Sequence, residues 1–211
     1  MTCIVAEVEQ VRFDELIPYI AVSVEGVPAN VAGHNARLAA IELARTSQAL
    51  KRTVWIDAQE CVRAYPLILE DGYTALSINR VCYHQDLRAA PDMDCCRLWS
   101  RAFYFERPRT LYISTTPSCD EPRAIEANLS VTPDQDSCYL DKWFYDLYAE
   151  DIAHGAIRRL RLMADEPWYN PQLAMQHGNY FRRAVAEAGM RSRDGNHSQG
   201  TRMAMPGGFL V

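Results

Sequence analysis

Lysine is almost missing from this chain of 211 residues, which holds Lys51 and Lys142 beside 20 arginines. Arginine's planar fork serves interfaces and ion pairs better than an ammonium does; codon usage in a GC-rich genome produces the same bias. Long apolar runs are missing too: none approaches the ~18 residues that a membrane helix requires, so no membrane association is expected. Glu7, Glu9, Asp14 and Glu15 break up the N-terminus where a secretory leader would be apolar, so the chain reads as soluble and cytosolic. There is no C-x-x-C pair. The seven cysteines (Cys3, Cys61, Cys82, Cys95, Cys96, Cys119, Cys138) are odd in number and scattered, which argues for buried free thiols over a disulfide framework or a zinc site.

Catalytic signatures are equally scarce. The sequence contains no G-x-S-x-G, H-E-x-x-H, P-loop or G-x-G-x-x-G. The five histidines (34, 84, 154, 177 and 197) lie far apart in sequence, none beside a second ligand at metal spacing. His177 sits on an apolar helical pattern and reads as a core histidine. His84-Gln-Asp86 and Asp92-Met-Asp94 could hold a hard cation, but they read more simply as solvated loops. The aromatic group Tyr139, Trp143, Phe144, Tyr145 and Tyr148 is interleaved with Asp141, Asp146, Glu150 and Asp151, which suits core and protein contact better than base stacking. The expectation is therefore no enzyme, no cofactor and no metal.

What is present is an ordinary globular composition, 48% hydrophobic and 23% charged, which excludes wholesale disorder. The net charge of −5 is split: residues 1–151 carry 14 basic and 23 acidic side chains, residues 152–211 carry 8 and 4. An acidic majority argues against a duplex-binding groove along the whole chain.

Periodicity divides the chain into helix, strands and helix. Pro18 limits the segment from Phe13 to a turn or two. Asn30 suits an N-cap for a helix to about Leu50. Thr53–Asp57 reads as a strand, Ala64–Leu69 as an edge strand because of Pro66, and Asp71-Gly72 as a turn. The phase change from Leu76 and Ile78 to Val81 and Tyr83 implies a bulge. Segment 101–106 is followed by Leu111 and Ile113 pointing one way, and Ile125, Ala127, Leu129 and Val131 describe a half-buried strand ended by Pro133. Ala149, Ile152, Ala153, Ala156, Leu160 and Met163 form a helical stripe. Asn170 then caps a helix with Pro171 at its first position; Leu173, His177, Tyr180, Phe181, Ala184, Val185 and Ala188 make its expected core face, and Gly189 its stop. The fold class is α+β: a helical part over 1–50, a β lobe over 51–138, a helical hairpin over 139–189 packing on the first helix, and an extended tail over 190–211.

The run Tyr148-Ala-Glu-Asp-Ile-Ala-His-Gly155-Ala156, then Pro167-Trp168-Tyr-Asn170-Pro171 and Tyr180-Phe-Arg-Arg-Ala, resembles the C-terminal helical hairpin of the head-to-tail adaptor (connector) proteins of short-tailed bacteriophages. In that family an "I-A-x-G-A" helix precedes a "P-W-x-N-P" turn and an "F-x-x-A" helix. Leu38–Thr46 with Trp55, Tyr65-Pro-Leu, Thr110–Ile113 and Val131-Thr-Pro agree more weakly, so the resemblance covers about residues 13–189. It implies a virion structural protein, assembled in the host cytoplasm, forming a dodecameric ring under the portal as a platform for the tail or nozzle, with DNA passing through unread. Gly155 and Ala156 would let two helices approach, Trp168 would cover the hairpin's open end, and Asn170-Pro171 would restart the helix. The loop Arg88–Trp99 and the chain after Met190 match no family motif. The late arginines Arg191, Arg193 and Arg202, with Phe209, would form a partner-binding tail. An alternative is a small nucleic-acid-binding regulator using the C-terminal arginines.

Overall fold

A computed structural model describes residues 9–84, 96–98, 103–107, 109–114, 116–117 and 119–193. The chain is α+β with antiparallel sheets. Strand β1 (Gln10–Arg12) leads through a 3-10 turn (Phe13–Leu16) into α1 (Ile17–Ala21), kept short around Pro18. Phe13, Leu16 and Ile20 point inward. Helix α2 (Ala29–Ser47) follows.

The strands are β2 (Lys51–Ala58), β3 (Ala64–Pro66), β4 (Tyr73–His84), β5 (Cys96–Leu98), β6 (Phe103–Glu106), β7 (Thr110–Ile113), β8 (Glu121–Pro133) and β9 (Tyr139–Asp141). Four form a sheet in the order β2-β8-β4-β5, three a second in the order β3-β7-β6, and β1 pairs with β9. Pro66 lies on the edge strand β3, where its missing N–H breaks no ladder. The phase change in β4 is real: its register against β8 shifts between Ala75 and Ser77 and again between Ile78 and Arg80. Gly72 takes a positive φ of 87° in the turn before β4. Leu111 and Ile113 are both buried.

Helices α3 (Lys142–Leu160) and α4 (Pro171–Arg193) form the hairpin, with α2 packed against both. No helix among the described residues is long and apolar enough to cross a membrane. A single hydrophobic cluster joins Leu43 of α2, Ile152 and Leu160 of α3 and Phe181 of α4 to Leu111, Ile125 and Leu129 of the sheets.

Several expectations need correction. Strand β8 is not half-buried along its length, because Ser130 and Thr132 are as hidden as Leu129 and Val131; β2 and β4 flank it and α2 packs on it. Asn30 is not the N-cap of α2. Pro28 holds that place in extended backbone, its carbonyl accepting from the amides of Val31 and Ala32 at 3.0 Å each. The helix ends at Ser47, where Gln48 turns left-handed at φ 53°, three residues short of Leu50.

Gly189 does not stop α4. The helix runs on to Arg193, and its added turn is anchored where Ser192 Oγ donates to the Gln48 carbonyl at 2.7 Å and Lys51 Nζ donates to the Ser192 carbonyl. The thiols are also less hidden than expected. Cys82 is buried, while Cys61, Cys119 and Cys138 are exposed.

Candidate functional site

The chemistry-bearing part of the hairpin begins at Gly155. A β-carbon built there would lie 2.7 Å from a Phe181 ring carbon and 2.8 Å from the Ala39 β-carbon. Gly155 is therefore the point where α2, α3 and α4 approach one another, and Ala156 beside it is fully buried. Gly178 on α4 faces Arg158 in the same way, its absent β-carbon 3.1 Å from Arg158 Cδ.

Such close approach explains why α4 presents a different face from the expected one. Ala174, Gly178, Phe181, Ala184 and Ala188 are buried, whereas Tyr180 is exposed and Leu173, His177 and Val185 sit at the margin. Counting large apolar residues picks the wrong stripe when helices pack through small ones. Among the residues selected from the periodicity, Phe181, Ala184 and Ala188 hold.

The turn behaves as its residues suggest. Asn170 Oδ1 accepts from the Leu173 amide at 3.1 Å, and Pro171 opens α4. Trp168 is buried against the core, while Pro167 is exposed. Arg161 ties the turn together, donating to the Trp168 carbonyl at 3.0 Å and to the Ser23 carbonyl. Its own carbonyl accepts from the Asn170 amide at 2.9 Å.

Charged contacts lock α3 to α2. Arg158 and Arg159 both bond Glu42, at 2.8 and 2.7 Å, and the Arg158 guanidinium lies over the Phe181 ring. Where α3 starts, Asp141 is fully buried and accepts from Arg52 at 2.7 Å, Tyr73 OH at 2.6 Å and Trp143 Nε1 at 3.0 Å. Burial, then the bond to Asp141, drives the Tyr73 phenol well above its ordinary value. This neutral-plus-charged cluster is structural: it fixes β9 and the first turn of α3 to β2 and β4.

Of the aromatic group, Phe144 and Tyr148 are core and Tyr139 and Trp143 are exposed. Of the expected tail residues, Arg191 and Arg193 belong to α4 itself, and Arg191 faces Tyr148, whose phenol burial pushes up. Arg202 and Phe209 lie outside the described residues, as do Gln85-Asp86, Asp92-Met-Asp94, Cys95, His197 and the side chain of His84.

The histidines do not all stay apart. His154 on α3 and His177 on α4 meet with their Nδ1 atoms 2.9 Å apart, and the His154 ring stacks on Tyr180 at 5.1 Å. One signal was available: each histidine stands eleven residues from the Asp165-Glu166 turn, so an antiparallel hairpin brings them level. Burial, with His154 and Arg161 nearby, lowers the pKa of His177 below the ordinary 6.5.

Beside the hairpin, α2 and α4 frame a groove of about 580 Å³ lined by Glu42, Thr46, Val185, Met190 and Arg193 among others. The hairpin also shows solvent a series of large side chains: Leu162, Tyr169, Met175 (64% exposed), Tyr180 and Met190 (57%). Among the described residues no group of three or more His, Cys, Asp or Glu gathers as a metal cage. No protein-family model matches the chain, and no curated protein matches it.

Proposed function

We propose that the chain is a structural assembly protein: a head-to-tail adaptor whose copies close into a ring, twelve if the resemblance carries over, beneath the portal of a short-tailed phage. In this reading the ring is the platform for the tail or nozzle, sits at the head–tail interface of the virion and passes DNA without reading its sequence. The observation that carries the reading is the hairpin itself. Its P-W-x-N-P turn and its Gly155 contact make a rigid unit that presents Leu162, Tyr169, Met175, Tyr180 and Met190 to solvent. Exposed large apolar and aromatic groups on a rigid element are what protein interfaces bury at their centres. Copies that meet through two different patches form a ring when the rotation closes.

The nucleic-acid alternative is weakened by where the late arginines go. Arg158 and Arg159 serve Glu42, Arg161 serves two carbonyls, Arg182 bonds Asn179 and Arg183 bonds Glu187. Among the described late arginines, Arg158, Arg159 and Arg183 are offset by carboxylates, which leaves fewer cations for phosphates.

The test is co-sedimentation of the protein with portal-protein rings of short-tailed phages. Wild-type protein is expected to travel with the portal, and Met175→Asp with Leu162→Asp to reduce the bound fraction at least tenfold while leaving the melting temperature near wild type. Failure of the wild-type chain to bind the portal at all would overturn the reading.

A further inference from the structure

We propose that His154 and His177 form a two-point site for a borderline divalent cation of the zinc class, held between their facing Nδ1 atoms and completed by water. The proposal stands on the hairpin's geometry and does not depend on the assembly reading. Nitrogens about 2.0–2.1 Å from such a cation, at angles between a right angle and the tetrahedral one, are roughly 2.9–3.4 Å apart. The observed separation of 2.9 Å already falls at the lower end. The two imidazoles need part by no more than about 0.5 Å to admit the ion.

The frame around them is stiff. Each histidine directly precedes a glycine at a close helix contact, Gly155 against Phe181 and Ala39, and Gly178 against Arg158. The helices are thus closely packed beside both ligands, and the Tyr180 ring stacks on His154. Both histidines are half-buried, so an ion can enter and water can fill the remaining positions. Imidazole binds a metal only when neutral.

The proton balance is simple. Without the cation one Nδ1 carries a proton and donates it to the other, whose proton is on Nε2. With the cation both Nδ1 lone pairs bond the metal and both rings carry their single proton on Nε2. The first ring changes tautomer through solvent, and no net proton is released.

The experiment uses the full chain. Thermal melts at pH 7.5 with increasing zinc or nickel chloride are expected to show a saturable rise in melting temperature, reversed by EDTA. The rise is expected to persist in Cys61→Ser/Cys119→Ser/Cys138→Ser, which removes exposed thiols, and to vanish in His154→Gln/His177→Gln. Imidazole nitrogen NMR of the wild-type protein gives an answer even if that double variant folds poorly: zinc is expected to move both Nδ1 resonances and leave both Nε2 atoms protonated. A flat titration, a rise that survives loss of both histidines, or imidazole signals that zinc leaves unmoved would each overturn the site and leave a hydrogen-bonded pair only.

Discussion

Gly155 shows how one residue sets the spacing of three helices. Any side chain there starts inside van der Waals contact with Phe181 and Ala39, so the helices must separate to admit it. Overpacking of this kind costs ~1–3 kcal/mol. Gly155→Leu is expected to lower the melting temperature by several degrees, more than loss of either hairpin histidine without added metal; an unchanged melt would mean the helices do not touch there. Asn170→Ala removes the side-chain cap on α4 and is expected to cost about 1 kcal/mol in chemical denaturation. Asp151 gives a pH-dependent case. Burial first, with Glu187 and Glu150 adding repulsion against the opposing pull of His154 and Arg191, raises its pKa above the ordinary 3.8. A raised carboxyl favours folding while it is protonated, and that gain is lost as pH climbs through its folded value. Asp151→Asn is therefore expected to be more stable than wild type at pH 7, with the difference shrinking toward zero below pH 3.8; an equal gain at both pH values would contradict a burial-driven shift.

At the scale of elements, the last turn of α4 separates what the sequence spells out from what tertiary contacts add. The turn Pro167–Pro171 is legible because its key residues act locally, proline opening a helix and asparagine capping it. The strands of 53–132 are legible through their period of two. The end of α4 is not, since Gly189 is a good stop locally and is overridden by Ser192 bonding Gln48 and Lys51 bonding Ser192, contacts with residues about 140 positions away. The core face of α4 is misread for a related reason, because small residues define a close-packed face that hydrophobicity alone does not mark. The His154–His177 contact requires the hairpin's level as well as its existence. These contacts predict a graded truncation series. Removing 190–211 also deletes the Ser192 anchors and is expected to cost about 1–3 kcal/mol more than removing 194–211. Equal effects of the two deletions would show that the final turn contributes nothing to the fold.

At the scale of the molecule, the helices and sheets share one hydrophobic cluster, and the buried Arg52–Asp141 pair bolts the start of the hairpin to the sheet. Breaking that bolt is expected to be severe: Arg52→Ala leaves the Asp141 carboxylate buried without its cation, at a cost on the order of 3–5 kcal/mol, read as a drop in denaturation midpoint. The central claim is the proposed assembly into a ring on a portal, and electron microscopy of the protein mixed with portal rings of short-tailed phages tests it most directly. The account predicts a closed ring of copies coaxial with the portal, with the α3–α4 hairpin buried at an interface. Portal rings that stay bare in the presence of excess folded protein would contradict it.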